Sequence, residues 1–354
     1  MRVSPPTVRR RLLAWYDRYR RDLPWRREPD LYHTLVAEFM LQQTRVEQAL
    51  PYYERFLRAF PTLQRLARAP LAAVVKLWEG LGYYHRAKHL HAAARVLSAR
   101  ARPALADLDA CPGIGPYTRA AIGSIVFGAA LPVVDGNVNR VVARVLGLSV
   151  PPRSAAGQAR VLAWQEEHLD RSAPGDWNQA VMELGARVCT PKAPRCGECP
   201  LAPGCRARAA GRPEAFPLRA PKRRKPHRQI AAAIIRRRDG RVLIAQRPPT
   251  GLLSNLWEFP GGKRERGESL ASCCAREVRE ELGVHVAVGR EVARVAHAYS
   301  HFSITLHVFE CRYVRGKPRT WGCQAWRWVR AGELRRYPFP GANRPILARL
   351  TGRA

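Results

Sequence analysis

The apolar residues change their spacing once along the chain. From Val8 to about Cys205 they recur mostly three or four positions apart, the period of amphipathic helices, with breaks expected at Pro51, Pro61, Pro70, Pro103, Pro112 and Pro132. An all-helical region over residues 1–205 is predicted. Residues 206–228 turn to Arg, Lys, Ala and Pro, including the run Pro221 to Pro226, and read as an exposed basic linker. Beyond it, over residues 229–354, the pattern suits strands. Gln229 to Ile235 and Val242 to Gln246 form a hairpin turned at Asp239-Gly240, followed later by strands at Ile304 to Phe309 and Trp326 to Val329. One helix is expected between Leu270 and Leu282, making the second domain α/β or α+β.

Length and composition support this division. A chain of 354 residues exceeds the size at which one core stops growing, and 46% hydrophobic content can fill two. The 61 Lys and Arg against 28 Asp and Glu leave a net charge of +33, which calls for a polyanionic partner. Nucleic acid fits, because each neutralised phosphate releases counterions; an Arg-rich composition that merely decorates the surface is the plainer alternative. The basic start of the chain lacks an apolar segment after it, so no export signal is visible. Ala120 to Val134, the longest nearly uncharged stretch, is too short to cross a bilayer. A monomer in the cytoplasm, with no membrane role, is expected.

Four of the nine cysteines, Cys189, Cys196, Cys199 and Cys205, follow the spacing C-x6-C-x2-C-x5-C, a compact loop able to fold four thiolates around one centre. Zinc usually prefers two close pairs, whereas only one pair here is two residues apart. The spacing resembles the cluster loop of the endonuclease III superfamily of DNA glycosylases, and that resemblance implies a [4Fe–4S] cluster. Cys111, Cys273, Cys274, Cys311 and Cys323 lack ligand spacing and read as ordinary buried thiols. His85, His89 and His91 read as a solvated or DNA-facing group on a helix.

Two glycines in Gly113-Ile114-Gly115 form a turn whose backbone N–H groups can approach a phosphate, and Asp135 follows about twenty residues later. Hairpin followed by Asp is again the pattern of that helix-hairpin-helix superfamily. Leu23 to Arg26, Glu38 to Thr44, Trp78 to Tyr84 and Val134 to Asn137 narrow the resemblance to its adenine DNA glycosylase (MutY) family, over essentially the whole chain. Glu38 lies in the apolar run Leu35 to Leu41, where desolvation should keep its carboxyl protonated, although an isolated Glu there would read as an outward-facing helical residue. Asp135 precedes a helical run, Val138 to Leu146, and is expected to cap it, which is compatible with catalysis.

The resemblance implies that Glu38 protonates adenine and later activates water, that Asp135 stabilises the oxocarbenium ion, and that Asn137 and Tyr117 orient them. Tyr117 stands where strand-cleaving relatives carry a nucleophilic Lys, so a monofunctional enzyme is implied. Gln43 and Tyr83 match intercalating positions, Trp25, Arg26, Leu41, Gln179 and Met182 match positions that hold the extruded adenine, and Thr44 is a further substrate-binding position. The implied partner is duplex DNA with adenine opposite 8-oxoguanine.

The C-terminal domain carries a complete Nudix box: Gly262, Glu268, Arg276, Glu277, Val278, Glu280, Glu281, Gly283 and Val284 in register. Glu277, Glu280 and Glu281 share one helix face and could hold Mg²⁺. Adenine glycosylases usually keep a Nudix-like fold but have lost these carboxylates, so the sequence departs from the family here. Two readings stay open: a domain that only recognises oxidised guanine, and one that also hydrolyses nucleoside diphosphate bonds. Tyr299, Ser300 and His301 match the loop with which the family reads oxidised guanine, with Tyr299 in place of Phe. Three functions follow: adenine glycosylase, Nudix hydrolase delivered to DNA by a basic module, and non-catalytic lesion binder.

Overall fold

The computed structural model describes residues 3–27, 29–218, 225–299 and 302–352. Close contacts gather the chain into two units, residues 1–49, 60–68 and 89–222 in one, and residues 50–59, 69–88 and 223–354 in the other. The second unit thus takes in two stretches from the half of the chain read as wholly helical.

Helices α1 (Pro5–Tyr19), α2 (Pro24–Arg27), α3 (Leu31–Leu41), α4 (Val46–Ala59), α5 (Leu63–Arg68), α6 (Leu71–Leu77) and α7 (His85–Ser98) come first. They are followed by α8 (Pro116–Phe127), α9 (Gly136–Leu146), α10 (Ala155–His168), α11 (Pro174–Arg187) and the short α12 (Arg206–Ala209). Pro51 does not end α4 as expected. Ala49, Tyr53 and Phe56, at i, i+4 and i+7, are all buried, and that packing outweighs the hydrogen bond the proline ring removes. In the first unit the main core lies among α1, α9, α10 and α11, around Leu12, Tyr16, Val142, Val161, Trp177 and Leu184. The basic linker expected from Arg206 starts later than its composition indicates. Ala207 in α12 is fully buried, and Arg144 of α9 donates to the Phe216 carbonyl at 3.1 Å.

The second unit is built on a seven-stranded mixed sheet of β1 (His227–Arg236), β2 (Val242–Gln246), β3 (Trp257–Glu258), β4 (Gly261–Lys263), β5 (His285–Ala298), β6 (Ser303–Arg315) and β7 (Ala325–Val329). The order is β3-β2-β1-β6-β5, with β4 on β1 and β7 on β2; β1 and β6 run parallel and every other pair antiparallel. The β1–β2 hairpin turns at Gly240, whose φ of 78° suits glycine. Alternation sends Ala231, Ala233 and Ile235 to one face, under α13 (Leu270–Leu282), and Ala232 and Ile234 to the other, with Phe339 and Ile346 of α14 (Arg344–Leu350). The fold is thus a helical domain joined to a mixed-sheet Nudix-like domain. Among the described residues no helix is long and apolar enough to cross a membrane.

Candidate active site

A cavity of about 530 Å³ opens in the first unit, and all four residues expected to be catalytic line it with six of those expected to bind substrate: Glu38, Tyr117, Asp135 and Asn137, with Trp25, Arg26, Leu41, Thr44, Gln179 and Met182. Gln43 is exposed and lies outside the cavity lining. Its φ of 57° places it in the left-handed region, as does the φ of 50° at Tyr83 in the second unit. Such conformations in non-glycine residues store strain of order 1 kcal/mol each and concentrate where a chain presents a side chain for function.

Glu38 projects from α3, in which Leu35 to Met40 are all buried, and is itself only 7% exposed. Burial pushes its carboxyl up to about 7, with hydrogen bonding to Tyr117 opposing the rise and the nearby Asp135 charge adding to it. Its Oε2 is buried with no hydrogen-bond partner among the described residues. A neutral carboxylic acid with an open oxygen facing a cavity is equipped to give up a proton. Tyr117, from the first turn of α8, is also raised, chiefly by burial, so its phenol stays protonated and its hydroxyl lies 3.6 Å from Met182 Sδ.

Asp135 is the N-cap of α9, accepting from Val138 N at 2.7 Å through Oδ1 and from Asn137 Nδ2 at 2.9 Å through Oδ2. Burial raises its pKa, while those hydrogen bonds and the Arg140 charge work to keep it ionised. The second layer was not legible in the sequence. Arg140 donates to Asn137 Oδ1 at 2.8 Å, to the Gly185 carbonyl at 2.7 Å and to the Cys189 carbonyl at 2.7 Å, tying the helix that bears Asp135 and Asn137 to the cysteine loop. Gly185 lets α11 come close: a Cβ there would lie 2.6 Å from Asn137 Cβ.

Glu183 is a further cavity residue that the sequence reading missed. It accepts from Arg21 Nε at 2.8 Å and from Arg26 Nη2 at 3.0 Å, while Arg26 Nε reaches Gln179 Oε1 at 3.1 Å. Burial alone would raise its pKa, but the two guanidinium groups outweigh that and hold it at about 2. An acidic residue at i+4 from Gln179 on α11, opposite an Arg-rich N-terminal stretch, was the available signal.

Cys189, Cys196, Cys199 and Cys205 line one small cavity and form no disulfide. Arg144 Nη1 lies 3.3 Å from Cys189 Sγ and donates to the Thr190 carbonyl at 2.7 Å, placing positive charge beside the thiols. The other five cysteines are buried, as expected. His91 is buried too, against the expectation of a solvated group. The hairpin turns at Gly113, whose φ is 80° and where a Cβ would meet His89 at 2.5 Å.

In the second unit Tyr299 lines a separate cavity; Ser300 and His301 lie outside the described residues. Three of the Nudix carboxylates are engaged by one guanidinium. Arg276 contacts Glu268 at 2.8 Å, Glu277 at 3.1 Å and Glu280 at 3.0 Å. Burial drives Glu281 up to about 8, and it accepts from Gly261 N at 3.3 Å. Among the described residues no three His, Cys, Asp or Glu side chains converge closely enough to hold a single metal ion.

Comparison with known proteins gives this geometry its context. Residues 36–164 match the HhH-GPD superfamily of base excision DNA repair proteins, and residues 231–349 match the NUDIX domain family. The chain is 35% identical to adenine DNA glycosylase of Homo sapiens over 383 residues, spanning 91% of this chain and 70% of the human one. It is 43% identical to adenine DNA glycosylase of Mycolicibacterium smegmatis over 219 residues, 60% of this chain and 72% of that protein. Among solved structures, a thermostable thymine-DNA glycosylase superimposes with a TM-score of 0.52 at 25% identity, covering 58% of this chain and 97% of that one. The chain belongs to the adenine DNA glycosylases, DNA-binding enzymes of base excision repair that remove adenine.

Proposed function

We propose that the enzyme hydrolyses the N-glycosidic bond of adenine mispaired with 8-oxoguanine or guanine in duplex DNA, as a monomer and without cleaving the strand. The observation that carries this reading is Glu38: a buried carboxyl held near neutrality, with an open oxygen, in one cavity with the capped carboxylate of Asp135. Adenine leaves poorly as an anion, so Glu38 donates a proton to it and the resulting carboxylate then activates water. As the bond breaks, the sugar becomes an oxocarbenium ion, and ionised Asp135 stabilises it. Asn137 orients Asp135 through the 2.9 Å hydrogen bond, and Tyr117 positions Glu38. A phenol forms no Schiff base, which supports hydrolysis without strand cleavage.

The adenine must leave the stack to reach this cavity. Trp25, Arg26, Leu41, Thr44, Gln179 and Met182 surround it there, with Glu183 fixing Arg26. Gln43 and Tyr83 fill or wedge the vacated stack, and their strained backbone supports that role. Tyr299, Ser300 and His301 read the oxidised guanine, Ser300 through the altered N7 and O8 edge.

The donor set of Cys189, Cys196, Cys199 and Cys205 fits a [4Fe–4S] cluster: four unoxidised thiols around one cavity beside the Arg144 guanidinium. The cluster would order the basic loop near DNA and take no part in hydrolysis. For Glu277, Glu280 and Glu281, lesion reading without Mg²⁺-dependent turnover is the better supported alternative, because Arg276 already engages two of these carboxylates and burial favours the neutral form of Glu281.

The test is single-turnover cleavage by alkali at adenine opposite 8-oxoguanine. Wild type should release adenine, Asp135→Asn should fail, and neither should cleave the strand before alkali. Full activity in the Asp135→Asn variant, or strand cleavage without alkali, refutes the assignment.

A further inference from the structure

Tyr83, in the turn between α6 and α7, belongs to the same unit as the sheet and as Tyr299, the first residue of the loop proposed to read oxidised guanine. The turn is braced from its own side. Trp78 Nε1 and Arg86 Nη2 each donate to the Gly82 carbonyl at 3.1 Å. The buried Arg86 guanidinium lies 5.5 Å from the centre of the Trp78 ring and 5.3 Å from that of Tyr83, whose backbone stays left-handed at a φ of 50°. A turn held in this way moves as one piece.

That piece is fastened to the segment 337–339. Phe339 is fully buried, its ring 5.5 Å from that of Phe259 in the apolar core of the sheet, and the Pro338 carbonyl accepts from Trp257 N of β3 at 2.8 Å. Both backbone groups of Phe339 turn to the Tyr83 side. Phe339 N donates to Glu79 Oε1 at 3.0 Å, and the Tyr84 hydroxyl donates to the Phe339 carbonyl at 3.1 Å while accepting from Gly80 N at 3.3 Å. Lys76 Nζ bridges Glu79 Oε2 at 2.5 Å and the Tyr337 carbonyl at 3.2 Å. Gly80 permits this approach: its φ is 104°, and a Cβ there would lie 1.7 Å from Arg344 Nη2 and 2.3 Å from the Tyr52 hydroxyl. Tyr299 packs against the same core that holds Phe339, so apolar contact runs from the reader loop to the point where the turn is gripped.

We propose that Glu79 and Tyr84 are positioning residues that clasp the Tyr83 turn to the lesion-reading sheet, so that seating the sheet on oxidised guanine also sets the Tyr83 ring in the stack, and that this clasp determines the preference for 8-oxoguanine over guanine opposite adenine. The inference rests on the readings of Tyr83 as a wedge and of the sheet domain as the lesion reader. Two contacts carried by one body share one cost of ordering, because once the first is made the second loses little further freedom. Opposite unmodified guanine the sheet gains less and has less to pass on. Opening the clasp therefore penalises the oxidised substrate and spares the normal one, whereas a plain loss of stability lowers both alike.

The test is excision by the full-length protein, with enzyme below saturation, of adenine opposite 8-oxoguanine and opposite guanine. Tyr84→Phe removes one hydroxyl, Glu79→Ala removes the acceptor of the Phe339 N–H, and Glu79→Gln keeps that acceptor as an amide oxygen; urea denaturation shows which variants are folded. Tyr84→Phe and Glu79→Ala should each lose about tenfold on the oxidised substrate and under about twofold on the normal one, and Glu79→Gln should restore most of the loss. Added to Tyr83→Ala, the Tyr84→Phe change should cost nothing more, since the clasp acts through that ring. The proposal is overturned if both folded variants keep the wild-type ratio between the two substrates, if both substrates lose equally, or if the Tyr83 and Tyr84 effects simply add. The underlying readings fail by different signs, and the proposal falls with them: Tyr83→Ala with wild-type excision removes the wedge, and a wild type indifferent to oxidation of the guanine removes the lesion reader.

Discussion

Glu38→Gln should produce an enzyme that is inactive and, in alkaline solution, more stable than wild type. Raising a buried carboxyl from 4.5 to about 7 corresponds to about 3 kcal/mol of resistance to ionisation. Between those values the folded state holds a proton that the unfolded state has lost, so wild-type stability falls as pH rises through this window. Gln has no proton to lose. The gap between variant and wild type should therefore open above pH 4.5, widen to pH 7 and level off near 3 kcal/mol at pH 8, as read from urea denaturation at each pH. Catalysis follows the same titration in the same sense, because the rate too depends on the protonated form. At pH 8 about one-tenth of Glu38 remains protonated, so single-turnover excision by wild type should fall about tenfold per pH unit above 7. A flat rate between pH 6 and 9, or a Gln variant whose stability advantage over wild type is no larger at pH 8 than at pH 5, would refute the account of Glu38 as a buried neutral acid.

Gly185→Ala should slow excision and cost roughly 1–3 kcal/mol of stability, since the new methyl meets Asn137 Cβ at 2.6 Å; wild-type kinetics would show that Asn137 has room to move. Glu183→Gln should cost roughly 3 kcal/mol at pH 7 by leaving Arg21 and Arg26 without their buried partner. With a folded pKa near 2, the contribution of Glu183 is present above about pH 4.5 and lost as pH falls towards 2, so the two proteins should converge in acid denaturation. The purified protein should be brown, absorb near ~400 nm and hold about four irons per chain, and Cys199→Ala should lose the colour. A colourless, zinc-loaded and fully active preparation would remove the cluster.

What the sequence disclosed and what it hid divide along physical lines. Helix α13 matched its expected limits, Leu270 and Leu282, because a serine N-cap and a left-handed Gly283 mark its ends in the text. The cap at Asp135 was legible for the same reason. Strand β5 was not. Its fourteen residues include Gly, Ala, His and Arg, shift register at bulges and lie at the sheet edge, so no clean alternation survives. Burial of Glu38 followed from a motif match, since spacing alone allowed an outward-facing residue. Arg140 and Gly185 were invisible because their importance lies in partners distant in sequence, 45 residues away for the contact between them, and Glu183 was missed although its place four residues after Gln179 offered a signal. Pro51 misled because local propensity yields to a buried face.

The span from Asn137 to Arg144 also bears on which changes the chain can absorb. Asn137, Arg140 and Arg144 lie three and four residues apart, so one side of α9 faces the carboxylate at its start and the Cys189 loop farther along. Inserting a single residue between Asn137 and Arg140 would turn everything after it by about 100° and advance it by about 1.5 Å, carrying both guanidiniums away from that loop. Side-chain replacements along the outer surface leave this phase intact. The segment should therefore admit substitutions while rejecting changes of length, a signature that libraries of single-codon insertions and deletions would expose.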